Sequence, residues 1–319
     1  MANFSASEIA LTGFRIIRQR PIVVAWWAAP HLVFIFALSI LMVTVAGPHL
    51  MALQALQAEG PATTPEARAE ALSAIGGVLP LYAAMLPLIL ALYAVCFSAV
   101  NRAILRPADS AYGYLRLGAD ELRQGLLFLW AMVLGFAAEI ALIVASVLVT
   151  LVVLLIAGLT KSGGAMAALG GAAAVIGVLV LVLAYIYVLV RLSLSSAMTF
   201  DVGEVRCLKS WPLTKGRFWP MFGAYLLATI LNIIVLLLGA VVLAVIGLVA
   251  GGGLAMFNPH PDMSSPAAYF SLSRILSLVA SAFLYALAMP ILAGPPAAIY
   301  SALTRTPGAV SAPQAAPAP

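Results

Sequence analysis

Glu139 is the one acidic residue inside a long apolar run of this chain. A carboxyl in that setting is costly unless it is neutralised or paired, which makes it a functional candidate by default. It lies roughly 24 Å past Arg123, at about 1.5 Å per helical residue, near or beyond the centre of a bilayer. His31 and Asn232 fall at similar depths in other apolar runs. A buried polar cluster of Glu139, His31 and Asn232 is therefore one expectation, able to relay a proton or touch a polar substrate. The alternative is that these side chains only hydrogen-bond between helices.

Other chemistry is sparse. There is no His-Glu-x-x-His, no Walker loop, no Gly-x-Ser-x-Gly and no Cys/His spacing that would hold a metal. Gly251–Gly253 lacks the Lys-Ser/Thr of a phosphate cradle and reads as a turn. Cys96 and Cys207 are expected to be free thiols. The expectation is a protein without enzymatic activity, cofactor or metal.

The cations have a clear pattern. Apart from Arg68, Lys161 and Arg274, all 16 Lys and Arg residues fall at one end of the apolar runs. Arg15, Arg18 and Arg20 precede the first run. Arg102, Arg106, Arg116 and Arg123 separate the second from the third. Arg191, Arg206, Lys209, Lys215 and Arg217 separate the fourth from the fifth, and Arg305 follows the sixth. By the positive-inside rule this side is cytoplasmic, with both termini. Trp26, Trp27, Trp130, Trp211 and Trp219 lie near the same ends, where an aromatic belt belongs.

The elements that must position these residues are apolar helices. Hydrophobic residues make up 64% of the 319 residues and charged ones 8%, with a mean hydropathy of +1.11. A soluble domain carries about 25% charged residues, so a soluble globular protein, a disordered chain and a nucleic-acid reader are excluded. The net charge of +5 belongs to short loops, not to a basic patch for nucleic acid.

Spanning a bilayer takes roughly 20 apolar residues. Six candidates meet this: Pro21 to Gly47, Gly76 to Val100, Leu126 to Leu159, Ala167 to Val190, Trp219 to Val249 and Leu272 to Leu303. They lack period-2 alternation, so helices are expected rather than a barrel. The first is too long for the core of a cleaved signal peptide and is expected to be retained. Pro30, Pro80, Pro87, Pro290, Pro295 and Pro296 could kink three of the spans. Ala173/Gly177 and Gly247/Gly251 have the spacing of close helix packing. Pro65 and the Ala/Glu-rich run after it read as a short outer helix, and residues 305–319 as a disordered Ala/Pro-rich tail beyond a 1–304 membrane domain.

A weak threefold pattern precedes spans one, three and five. In the first unit Ser5 and Glu8 have capping-box spacing. Ala10, Phe14 and Ile17, with Ile9, Gly13 and Ile16, oppose Glu8, Thr12, Arg15 and Gln19. In the second, Leu115, Gly118 and Leu122 oppose Arg116, Asp120 and Arg123. The third runs from Glu204 to Arg217 with Val205, Leu208 and Trp211 apolar, interrupted by Pro212. Aligning Arg18, Arg123 and Lys215 places Gly13, Gly118 and Ser210 in register. The expected fold is thus all-α and polytopic: six transmembrane helices in three hairpins, each preceded by a cytoplasmic interfacial amphipathic helix. Such helices lie in the headgroup plane. They serve either as elbows that position the spans or as sites for anionic headgroups, with Arg15, Arg18, Arg20, Arg116, Arg123, Lys209, Lys215 and Arg217 as the candidates.

Leu208-Lys-Ser-Trp-Pro-Leu-Thr-Lys-Gly-Arg-Phe-Trp219, followed by Pro-Met-Phe-Gly-Ala-Tyr-Leu-Leu, resembles the signature of a bacterial integral-membrane family. That family is the membrane domain attached to some glycerophosphoryl diester phosphodiesterases, with its stand-alone relatives. The similarity is sharpest over residues 201–240. It implies a six-helix module in the bacterial inner membrane. It does not imply phosphodiesterase activity, because in the fused enzymes that chemistry belongs to a separate soluble barrel. The expected function is that of a lipid-associated or scaffolding module whose partners are membrane lipids, anionic headgroups among them. The rivals are a transporter of a small solute, ion or lipid using Glu139, and an accessory subunit of a membrane enzyme or envelope complex; a membrane-protein partner or a second copy of this chain is a further expected partner.

Overall fold

The computed structural model describes residues 5–59, 64–160, 165–250, 262–263 and 265–305. Lys161, the Gly251–Gly253 turn and the tail beyond Arg305 lie outside the described residues. The helices, in chain order, are α1 (Ala6–Ala10), α2 (Thr12–Gln19), α3 (Ile22–Leu41), α4 (Gly47–Glu59), α5 (Pro65–Leu105), α6 (Ala119–Thr160), α7 (Ala165–Leu192), α8 (Ser195–Val202), α9 (Ser210–Leu213), α10 (Phe218–Val249), α11 (Pro266–Tyr269) and α12 (Leu272–Thr304). Six of the helical segments are long and apolar enough to cross a membrane. The protein is an all-α, multi-pass membrane protein.

The spans exceed their expected ends. One π-helical turn, Met42–Ala46, joins α3 to α4, so the first helix runs on past Gly47. The segment after Pro65 is not a separate outer helix but the start of α5. Thr64 caps it by accepting from the Ala67 N–H at 3.2 Å, with Pro65 in the first turn. There a missing N–H costs nothing. Helices α3, α5 and α12 continue through Pro30, Pro80, Pro87, Pro290, Pro295 and Pro296, so the prolines break none of them.

Helix α12 is the hub, packed on α10, α3, α5, α2, α1 and α8. Most of the dense packing lies toward the basic face. One cluster joins Ile9, Leu105, Leu194, Phe200, Met221, Ile299 and Tyr300, and another joins Val23, Trp27, Val100, Tyr114, Ala286 and Ala293. Three ties lock the helix ends there. Arg305 donates to the Leu105 carbonyl, the Tyr300 hydroxyl to Asp201 Oδ2 at 3.0 Å, and Arg106 to the Phe200 carbonyl at 3.2 Å. The α6–α7 hairpin is different: its apolar side chains between 133 and 156, and between 175 and 189, are largely exposed. In lipid such a surface needs no protein cover.

Only the first of the three expected interfacial helices forms. It is split at Leu11, and Ser5 makes no cap. It docks on protein rather than lying free on lipid. Thr12, assigned to its polar face, is buried with Gly13 against α12. A Cβ at Gly13 would stand 2.4 Å from the Pro290 carbonyl oxygen. Ahead of α6 the chain makes a 3-10 turn, Ala111–Tyr114, and then non-helical backbone with Leu117 exposed, while Leu122, also exposed, already belongs to the first turn of α6. Ahead of α10 there is only the four-residue α9. Gly13, Gly118 and Ser210 share no role: Gly13 permits a close backbone approach, a Cβ at Gly118 would meet nothing nearer than Glu121 Oε2 at 3.7 Å, and Ser210 is a buried hydrogen-bonding group.

Candidate functional site

Two constructions on the basic face set up the site. The first is a buried ionic junction around Arg102, a residue that sequence reading counted only as a loop cation. Its side chain is 2% exposed and donates to Glu121 Oε1 at 2.7 Å and to the Tyr114 carbonyl. Asp120 gathers Arg102 at 3.6 Å, Arg106 at 3.4 Å and Arg123 at 3.0 Å. Arg102 and Arg106 also cover the Phe200 ring, at 5.3 and 4.6 Å. Tyr114 reaches Arg102 because Tyr112, Gly113 and Tyr114 all have positive φ, 52°, 64° and 68°. Only glycine takes that conformation without strain. The turn is held by Trp27, whose Nε1–H donates to the Gly113 carbonyl at 2.8 Å. Trp27 is therefore core, not a member of the aromatic belt.

The second construction is the Leu208–Trp219 motif. Span α7 ends at Leu192, which leaves its last carbonyls without helical donors. Ser210 Oγ donates to the Arg191 carbonyl at 3.0 Å, and Thr214 Oγ1 reaches the same oxygen at 3.3 Å. Ser195 Oγ bonds the Cys207 carbonyl and Ser210 Oγ. Gly216, at φ 75°, turns the chain into α10. Pro212 stands third in α9 and Pro220 third in α10, in first turns whose N–H groups have no helical acceptor. The motif is thus a plug that finishes α7 and starts α10.

Between α6 and α7 lies a groove of about 880 Å³, closed at the basic face by Cys207, Leu208 and Trp211 of this plug. Leu127, Ala131, Leu134, Gly135, Ala138, Leu142 and Ala145 form one wall; Leu181, Tyr185, Val188, Leu189 and Leu192 form the other. From Leu127 to Ala145 it follows roughly 27 Å of α6 at about 1.5 Å per residue. The hydrocarbon of one leaflet is about 15 Å deep. The serine hydroxyls of the lining, Ser193, Ser195 and Ser196, stand at the plug end, and elsewhere the lining is apolar but for the amphipathic rings of Tyr185 and Trp130. Ser196 is held by Asn101 Nδ2 at 3.0 Å and by Gln124. Burial pushes the Cys207 thiol above its ordinary pKa, opposed in part by a backbone hydrogen bond; both cysteines are free. A second, smaller hollow of about 570 Å³ lies between α3 and α5, with Arg116 at its rim.

The expected Glu139–His31–Asn232 cluster does not assemble. Glu139 is exposed on α6, about 100° round the helix from the groove residue Ala138. It has no hydrogen bond or ion pair among the described residues. His31 is buried on α3, its Nδ1 at 2.8 Å from the Trp27 carbonyl and its ring stacked on Tyr285. Asn232 is buried on α10, with Oδ1 unpartnered. Helix α6 packs on α5, α7 and α8, so its carboxyl points away from the hub that holds the other two.

The headgroup candidates divide. Arg123 is paired with Asp120, and Arg116 with Asp109 at 3.6 Å. Arg20 lies over the Tyr114 ring, Arg15 touches the Glu8 carbonyl and Arg217 the Leu213 carbonyl. Among the described residues, Arg15, Arg18, Arg20, Lys209, Lys215 and Arg217 have no carboxylate partner. The acids of the second loop neutralise its arginines, whereas the first and third segments keep free charge. No triad of metal-ligating side chains occurs among the described residues. No family model, no curated protein and no solved structure matches this chain.

Proposed function

We propose that this protein is a non-enzymatic lipid-binding module of the bacterial inner membrane, a stand-alone relative of the phosphodiesterase membrane domains. Its basic face is cytoplasmic, and the α6–α7 groove takes an acyl chain of an inner-leaflet lipid. The groove carries this reading: it is deeper than one leaflet's hydrocarbon, its serine hydroxyls are gathered at the plug end, and it opens along helices that contact bilayer. Its volume falls within the roughly 300–1,000 Å³ of small-molecule sites. The unpaired Arg15, Arg18, Lys209 and Lys215 support the same reading by drawing anionic lipid to that face, at roughly 1 kcal/mol per cation. The transporter alternative loses its anchor, since Glu139 stands outside the groove and away from His31 and Asn232.

The test is native mass spectrometry of the full chain released from lipid nanodiscs. Wild type should retain lipid adducts, Ala138→Trp should lose them by filling the groove, and Glu139→Gln should retain them. Equal retention in wild type and Ala138→Trp overturns the proposal.

A further inference from the structure

We infer that Arg191 is a phosphate ligand at the plug end of this groove, and that the unpaired cations around it make the occupant an anionic phospholipid rather than a zwitterionic one. This rests on the groove reading above and adds the headgroup class. Arg191 is 4% exposed. It forms no ion pair, its guanidinium donates no hydrogen bond to any described residue, and its buried Nε lacks an acceptor. Arg102, equally buried, has Glu121, Asp120 and a carbonyl. Among the described residues the Arg191 guanidinium lies against two aromatic rings, Trp211 at 4.8 Å and Tyr187 at 5.9 Å. Arg191 stands behind the groove's lining, against Trp211, which is itself a wall, as are Leu192 and Ser193, the next residues in the chain.

Cation–π contact and the carbonyl end of α7 favour a positive charge here, but neither supplies acceptors for its N–H groups. A buried guanidinium left without acceptors is expensive. A phosphate oxygen is the acceptor that suits its planar fork.

The surroundings select the sign of the rest of the headgroup. Lys209, Lys215 and Arg217 flank the plug without carboxylate partners. The nearby acids are occupied: Glu204 by Arg206 at 2.9 Å, and Asp201 by the Tyr300 hydroxyl. A choline or ethanolamine cation would meet only like charge, whereas a glycerol headgroup would not.

The experiment titrates the full-length protein in detergent with phosphatidylglycerol and phosphatidylcholine of identical acyl chains, read by native mass spectrometry. Wild type should prefer phosphatidylglycerol by about tenfold, because Lys209, Lys215 and Arg217 disfavour the choline cation by a few-fold each. Arg191→Gln should weaken binding of both lipids by about tenfold, a charge-assisted hydrogen bond to phosphate being worth a factor of that order. Arg191→Lys should restore most of that affinity, and Lys209→Gln/Lys215→Gln should reduce the preference for phosphatidylglycerol. Protection of Cys207 from alkylation in the wild type gives a second readout that needs no variant, with phosphatidylglycerol protecting more than phosphatidylcholine. Unchanged affinity of Arg191→Gln for both lipids overturns the Arg191 assignment, equal binding or equal protection by the two lipids in the wild type overturns the anionic headgroup, and each leaves the groove reading standing. Displacement of phosphatidylglycerol by millimolar inorganic phosphate makes the ligand a soluble anion and overturns the anionic headgroup too. Failure of the groove reading is separate: both lipids then bind Ala138→Trp as well as wild type.

Discussion

Substituting Gly13 tests how the N-terminal helix is held. A Cβ there would stand 2.4 Å from the Pro290 oxygen, 2.6 Å from its carbon and 2.7 Å from Ile291 Cα. All three are backbone atoms of α12, so no side chain can swing aside. Restoring van der Waals contact requires α2 to lift by about 1 Å, and overpacking of this kind costs roughly 1–3 kcal/mol. Against this, Gly→Ala in a helix gains about 1 kcal/mol of propensity. Gly13→Ala should therefore weaken docking by up to about 2 kcal/mol, and Gly13→Leu by more, since it combines a larger clash with the same backbone neighbours. Local opening scales with that energy, roughly 5–30-fold for 1–2 kcal/mol. The assay is limited trypsin cleavage after Arg15 and Arg18 in detergent, with Gly118→Ala as the control at the register-equivalent position, where a Cβ meets nothing close. If Gly13→Leu is cleaved no faster than Gly118→Ala, α2 is not seated on α12 as described and the close-approach reasoning fails.

Three further outcomes follow from the same structure. Glu121→Ala leaves the buried Arg102 charge without its closest partner and should cost about 3–5 kcal/mol, measured as loss of folded protein on detergent extraction; a yield equal to wild type would contradict it. Ser210→Ala should lower stability by about 1 kcal/mol and Ser210→Ala/Thr214→Val by more, because the Arg191 carbonyl then loses both hydroxyl donors; unchanged unfolding curves would show that this cap is dispensable. Cys207 should alkylate with a midpoint above the roughly 8.5 of a free thiol: burial disfavours the thiolate, so the rate climbs only as pH passes the raised pKa, and a midpoint below that of a model thiol would refute the buried setting.

Much of the architecture is already written in composition. Runs of Leu, Val, Ile and Ala of bilayer length have one low-energy form in lipid, because every backbone N–H and C=O must be satisfied within the segment. Hence the six spans, and the caps at Thr64 and Ser271, rest on local chemistry. Contact between distant parts of the chain is not local, and there the sequence alone misleads. Leu115, Gly118 and Leu122 carry an amphipathic pattern, yet Arg102 and Trp27 pull residues 112–114 into a left-handed turn, residues 115–118 stay non-helical, and Leu122 belongs to the start of span α6 rather than to a separate interfacial helix. Glu139 is the most conspicuous residue in the chain, but the rotation of α6 about its axis, set by packing on α5 and α7, turns it away from His31 and Asn232. Arg191 looks like one more loop cation. Only the tertiary structure buries it beside Trp211 with no carboxylate in reach, because which cations are neutralised depends on where Asp120, Glu121 and Glu204 are placed, and hydropathy carries no record of that.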